Sequence, residues 1–199
     1  MDFDTATGKV RARLTNQGYS DTSCWARGQS WAIVGFAQAY HWTRDERFLT
    51  ASQNLAEYFL SQLPADGVPF WDFESPRPAP RDTSAGLIAV YGLLLLHEAT
   101  AAGEPSSKYL SDALRILAGV LSTSLAPEAR FVSTSAGEEV VDLGGPETII
   151  LHATINNYEF APRRWADHGL VYADYYFLLV GNKLLQMGID MDRPLSLQK

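Results

Sequence analysis

The hydrophobic rhythm of the chain alternates between two kinds of helical segment. From Trp25 to Trp42 the residues are apolar or small nearly all round, through Trp31, Ile33, Val34, Phe36, Ala37 and Tyr40. A helix apolar on every side is one that others enclose. Glu46 to Leu63 differs: Phe48, Leu49, Leu55, Tyr58, Phe59 and Leu63 form one stripe, and Arg47, Ser52, Gln53 and Glu57 face away, the period of an external helix. The alternation then repeats. Ala85 to Ala102 is apolar all round, Gly103-Glu104-Pro105-Ser106 stops it, and Ser107 to Ser122 is amphipathic with Leu110, Leu114, Leu117 and Leu121 inward. His168 to Met187 closes the series as a third apolar segment, with Tyr172, Tyr175, Tyr176, Phe177, Leu178 and Val180.

Each apolar segment opens on a polar cluster and carries a glycine in its middle or late part: Gly35, Gly92 and Gly181. Buried, amphipathic, buried, amphipathic, buried is the order expected of concentric helices, an inner ring wrapped by an outer one. The polar starts of the inner helices then share one end, where helix dipoles and backbone N–H groups favour an anion. Three inner helices do not close a ring. The expectation is about half of a toroid, or a chain that pairs with itself, because two open flanks expose more apolar surface than a stable monomer normally shows.

The connecting segments are polar or irregular. Residues 1–23 carry Gly8 and Gly18 and no helical period, and read as an opening loop with a short strand around Val10 to Leu14. Pro64 to Pro80 is a proline-rich loop holding Phe70, Trp71 and Phe73, and Asp82 offers a cap to the helix that follows. Phe131 to Leu151 reads as irregular chain, β-like at Glu138–Val141 and Thr148–Leu151. Residues 190–199 read as a tail to a single incomplete domain spanning 1–199.

Composition narrows the partners. Of the 199 residues 46% are hydrophobic and 20% charged, a folded rather than disordered balance. The net charge of −7 argues against nucleic acid and against an anionic membrane surface. Leu93 to Leu96 with its neighbours is too short a run to cross a bilayer, and the acidic start Met1-Asp2-Phe3-Asp4 is no signal peptide. With Cys24 alone, an internal disulfide and a thiolate zinc site are both out of reach. A cytoplasmic location is the expectation.

Chemistry concentrates in Cys24-Trp25-Ala26-Arg27-Gly28-Gln29-Ser30-Trp31. Two indoles, a guanidinium and an amide at the mouth of an apolar helix suit a sugar site, with rings on the sugar face and Arg and Gln on its carboxylate and hydroxyls. A helix cap with core tryptophans fits the same residue types. Elsewhere the structural reading leads: a cap for Asp82, packing for His97 and His152, and core positions for Tyr172, Tyr175 and Tyr176. Trp71 suits stacking on sugar or the core of its loop, and His168 is left open. Asp174, within a buried helix, requires a partner, an arginine or a tyrosine hydroxyl.

Three blocks carry a resemblance. Trp25-Ala26-Arg27-Gly28-Gln29-Ser30-Trp31-Ala32 resembles the W-x-R-G-Q-x-W-A motif of the unsaturated glucuronyl hydrolases, glycoside hydrolase family 88. Gly67–Phe73 with Arg81–Ala85 is similar to that family's next block, and Gly169–Phe177 to its closing helix. The resemblance implies an all-α fold, a partial (α/α)6 toroid with short β segments, matching the C-terminal half of the family. It implies an enzyme that protonates and hydrates the 4,5 double bond of a terminal unsaturated glucuronic acid, giving a hemiketal that opens and releases the neighbouring sugar. One aspartate serves as acid and then base, and no metal or other cofactor is implied. At matching positions Gln17, Arg27 and Trp31 line the sugar site. Trp25 belongs to the motif as a sugar or packing residue, and Asn16 stands where the family has His. None of Asp72, Asp82, Asp167 or Asp174 matches the family's catalytic aspartate. The chain is therefore expected to hold no catalytic residue and to be inactive alone. The partner implied is an unsaturated uronic-acid oligosaccharide. The other reading is a non-catalytic sugar-binding or interaction module.

Overall fold

The computed structural model describes residues 1–101, 106–142 and 144–189. The sequence expectations for the stop at 103–105 and the tail at 190–199 lie outside them. A short antiparallel pair, β1 (Asp2–Phe3) and β2 (Val10–Ala12), opens the chain. Helices α1 (Ala26–Thr43), α2 (Glu46–Ser61), α3 (Thr83–Thr100) and α4 (Lys108–Ser124) follow. A hairpin of β3 (Arg130–Ser133) and β4 (Glu139–Asp142) precedes α5 (Val171–Gln186).

The helix ends follow local chemistry. Asp45 caps α2 by accepting from the Arg47 N–H, and the Ser107 hydroxyl caps α4 by accepting from Leu110. Arg44 adopts φ 59° and closes α1, its N–H reaching the Tyr40 carbonyl. Two starts differ from the sequence expectation. Trp25 precedes α1 because its backbone pairs with Asp72, and α5 starts at Val171 rather than His168 because His168 pairs with Ala153. The β-like run Thr148–Leu151 forms only an isolated bridge, Ile150 to Leu125, whereas Glu139–Asp142 becomes a true strand against β3.

The inner and outer layers follow the hydrophobic pattern. Helix α3 is the hub: Leu87, Ile88, Ala89, Leu93, Leu94 and Leu96 are all fully buried, with α1, α4 and α5 packed round it. By length and composition α3 could cross a membrane. That apolarity serves the core, since nearly four-fifths of it is buried. Helix α2 lies outside α1, its Ser52 hydroxyl donating to the Ile33 carbonyl, and α4 lies outside α3. The approach of α1 to α3 depends on Gly92, where a β-carbon would stand 2.7 Å from Ile33 Cγ2. Gly35 and Gly181 have no such role, since among the described residues a β-carbon at either meets nothing within 4 Å.

Consecutive inner helices α1, α3 and α5 thus form an arc of an α/α toroid, with α2 and α4 as its outer layer. Both end helices keep a bare flank. On α5, Val171 (76% exposed), Tyr175, Leu178 and Leu185 recur every three to seven residues, and on α1 Trp31 and Trp42 are open. Among the described residues Asp174 pairs with neither an arginine nor a tyrosine. Its carboxylate accepts from the N–H groups of Ile149 and Ile150, at 3.0 and 2.9 Å, tying the preceding chain to α5.

Candidate functional site

The starts of α1, α3 and α5 meet at one end of the arc, and Arg27 is the residue that joins them. It is 2% exposed. Its Nη1 donates to Asp82 Oδ2 at 2.6 Å, at the start of α3, and to the Ser84 hydroxyl at 3.2 Å. Nη1 and Nη2 also donate to the carbonyls of Thr154 and Ile155. The guanidinium lies 4.7 Å from the Trp25 ring and 5.2 Å from that of Tyr172, on α5. A buried cation so placed is held by one full charge, two carbonyl dipoles and two π faces.

Asp82 occupies the position before α3 but does not cap it with its side chain. Its carboxylate is spent on Arg27, on the Ser84 hydroxyl and on the Thr154 N–H. Burial pushes this carboxyl up from its ordinary range, against the opposing pull of Arg27 and of the hydrogen bonds from Ser84 and Thr154 that favour the charged form. Burial likewise raises the Tyr172 phenol, again opposed by Arg27. Asp72, also fully buried, braces the opening loop: it accepts from Tyr19 N–H at 2.8 Å and the Ser23 hydroxyl at 2.7 Å through one oxygen, and from Glu74 N–H through the other.

Gln17 is drawn into the same cluster. Its side-chain amide donates to the Ile155 carbonyl at 3.1 Å, the oxygen that also receives Arg27, and its own carbonyl accepts from the Trp71 indole at 2.7 Å. Trp71 is therefore a core residue of its loop. Asn16 is exposed beside Gln17. Trp25 is half-buried, and among the described residues its indole N–H is buried without a hydrogen-bond partner. Trp31, one turn along α1 from Arg27, is 40% exposed and meets Tyr176 edge to face at 5.4 Å, with Tyr91 on the far side of Tyr176 at 5.9 Å. Aromatic rings from α1, α3 and α5 thus meet one turn along α1 from Arg27. Of the five residues singled out in the sequence, Arg27, Gln17 and Trp25 share one cluster, Asn16 borders it, and Trp31 lies one turn away.

The sequence singles out His152 and His168 but does not predict how the segment 152–168 folds. The segment folds back on itself through the bridges Ala153–His168 and Asn156–Trp165, so that its Thr154 and Ile155 carbonyls face Arg27. No periodicity announces such a segment, because its bonds go to distant residues. A cavity of about 220 Å³ lies next to it, lined by Tyr19, Trp71, Pro76, Pro78, Asn157 and Arg164. His97 is structural, bonded through Nδ1 to the Ser107 hydroxyl at 2.9 Å. Among the described residues no group of three or more His, Cys, Asp or Glu side chains is placed to hold a metal ion.

An arc of buried and amphipathic helices with an arginine-centred cluster at one end defines part of an α/α toroid. No protein-family model matches the chain. Individual proteins do, and the chain is related over most of its length to the unsaturated glucuronyl hydrolases. It is 34% identical over 182 residues to the unsaturated glucuronyl hydrolase of Formosa agariphila, covering 89% of this chain and 40% of that protein. It is 33% identical to the unsaturated chondroitin disaccharide hydrolase of Streptococcus pneumoniae, covering 88% and 41% respectively. The crystal structure of unsaturated glucuronyl hydrolase from Bacillus sp. GL1 superposes with a TM-score of 0.74 at 27% identity, over 94% of this chain and 46% of that one. A mutant of the Streptococcus agalactiae enzyme complexed with dGlcA-GalNAc6S gives a TM-score of 0.68 at 28% identity, over 97% and 46%. The chain spans less than half the length of the relatives it matches.

Proposed function

We propose that this chain forms the sugar-binding wall of an unsaturated glucuronyl hydrolase, acting on oligosaccharides that end in a 4,5-unsaturated uronic acid. The observation that carries the reading is the Arg27 cluster: Trp25 and Arg27 of the motif, Gln17 and Tyr172 converge where three inner helices begin. Trp31 supplies open aromatic surface one turn along α1, with Tyr176 packed edge to face against it, an arrangement suited to a sugar face. The activities named for the relatives, and the unsaturated disaccharide in the Streptococcus agalactiae complex, support the same class of ligand.

The chemistry asked of such an enzyme is addition of water across an enol ether. A proton goes to C4, the positive charge that develops at C5 is shared with the ring oxygen, and water adds there. The resulting hemiketal opens and releases the neighbouring sugar. The first step needs a free acid close to C4. Asp72 and Asp82 are buried and engaged, Asp174 is bonded to two backbone N–H groups, and Asp167 is paired with His152. We therefore assign none of them as the acid, and read the chain as binding by itself without turnover, in a cytoplasmic setting. No step here draws on a metal or an organic cofactor.

Titration calorimetry with an unsaturated chondroitin disaccharide tests the binding. Weak but saturable binding, reduced by Trp31→Ala and by Gln17→Ala, is the expected result, and no heat at millimolar ligand refutes it. The ultraviolet band of the conjugated enol ether tests the chemistry. Its steady loss in the presence of purified chain would show that an acid resides among these residues after all. A non-catalytic sugar-binding module gives the same calorimetry, but no added helical segment from a full-length relative would confer turnover on it.

A further inference from the structure

We infer that His152, held in place by Asp167, is a further sugar-contacting residue of this site, taking a hydroxyl of the bound oligosaccharide; the inference rests on the sugar-site reading above. His152 Nδ1 lies 2.6 Å from Asp167 Oδ1, and the two side chains are 47% and 67% exposed. Both residues hold a left-handed backbone, each at φ 58°, a region that non-glycine residues seldom occupy. An ion pair open to water contributes little to stability. The side-chain pair by itself therefore gives the two left-handed backbones little stabilising return, and strain of this kind gathers where a side chain is held for a ligand.

The surrounding bonds fix where the pair stands. The His152 carbonyl accepts from the N–H of Thr83, the first residue of α3, at 3.2 Å. Two residues on, Thr154 N–H donates to Asp82, and the Thr154 carbonyl accepts from Arg27. The Asp167 N–H donates to the Thr154 hydroxyl at 3.3 Å. Both members of the pair are thus anchored to the Arg27 cluster through Thr154, and at most about 7 Å of extended chain separates the His152 and Thr154 α-carbons. With Nδ1 engaged by Asp167, Nε2 is, among the described residues, the ring nitrogen without a partner and is available to a sugar hydroxyl. Asp167 acts through the ring, as a positioning residue.

Glycine separates this role from a structural one. His152→Gly removes the ring but suits the left-handed backbone, so its melting temperature is expected to equal or exceed that of the native chain. Its calorimetric affinity for an unsaturated chondroitin disaccharide is expected to fall about tenfold. His152→Gln, which keeps a hydrogen-bonding group, recovers part of that loss, and Asp167→Asn produces a smaller loss. Native binding with His152→Gly within about twofold of it overturns the inference and leaves the sugar site standing. A native chain that binds no disaccharide at all overturns both.

Discussion

Arg27 and Asp82 show how far a residue's role depends on what its neighbours spend. The guanidinium is rooted in an ion pair and two carbonyls, so its removal strips the ends of α1, α3 and α5 of their common tie. Asp82→Ala leaves a buried cation and is expected to cost about 3–5 kcal/mol in urea-unfolding free energy. The double change Arg27→Met with Asp82→Leu removes both charges and is expected to cost less than that single change. Arg27→Lys does not substitute, because one ammonium cannot span Asp82, Thr154 and Ile155. Cys24 makes the opposite point. Burial, reinforced by the charges of Glu74 and Asp72, pushes its thiol up to about 11. At pH 8 only about one thiol in a thousand is then ionised, against about a quarter for an unperturbed cysteine. Alkylation by iodoacetamide is expected to be slow at pH 8 and to rise about tenfold for each pH step toward 10; rapid labelling at pH 8 would contradict the burial.

At the scale of the element, the three mid-helix glycines looked alike in sequence and differ in kind. Gly92 marks close approach of α1 to α3, with Ile33 and Val34 against it, whereas Gly35 faces open space. Gly92→Ala is expected to destabilise by about 1–3 kcal/mol through overpacking. Gly35→Ala is expected to stabilise by about 0.5–1 kcal/mol, since a helix interior favours alanine and nothing obstructs the new methyl. Paired thermal melts of the two variants check the assignment, and equal effects would refute it. The return segment 152–168 has no comparable signature. Its left-handed residues are histidine and aspartate rather than glycine, and its bonds run to α1 and α3, so no local pattern discloses it.

For the molecule as a whole, the bare flank of α5 sets the behaviour in solution. Val171, Tyr175, Leu178 and Leu185 form an apolar strip of the kind that seeks a cover. Sedimentation velocity is expected to show concentration-dependent association, and Leu178→Lys with Tyr175→Glu to return the chain toward monomer with unchanged helical circular dichroism. A strict monomer at all concentrations would count against an adhesive flank. The arc also accounts for the apolarity of α3, which has α1, α4 and α5 packed round it; α1 and α5 share that composition although each keeps an open flank.

The order and type of the helices, their inner and outer placement and the open flanks are all legible in the sequence, because helical periodicity is set within a few turns of local chain. So is the Trp25–Trp31 motif, whose residue types announce polar and aromatic chemistry at a helix start. What Arg27 does there is not legible. Its partners stand 55, 127 and 128 positions away in the chain, and only folding shows that the guanidinium ties three helices together. The same holds for Asp174, Gln17 and the His152–Asp167 pair: each is defined by a bond across the structure, and linear spacing carries no record of which distant backbone groups will be left to satisfy.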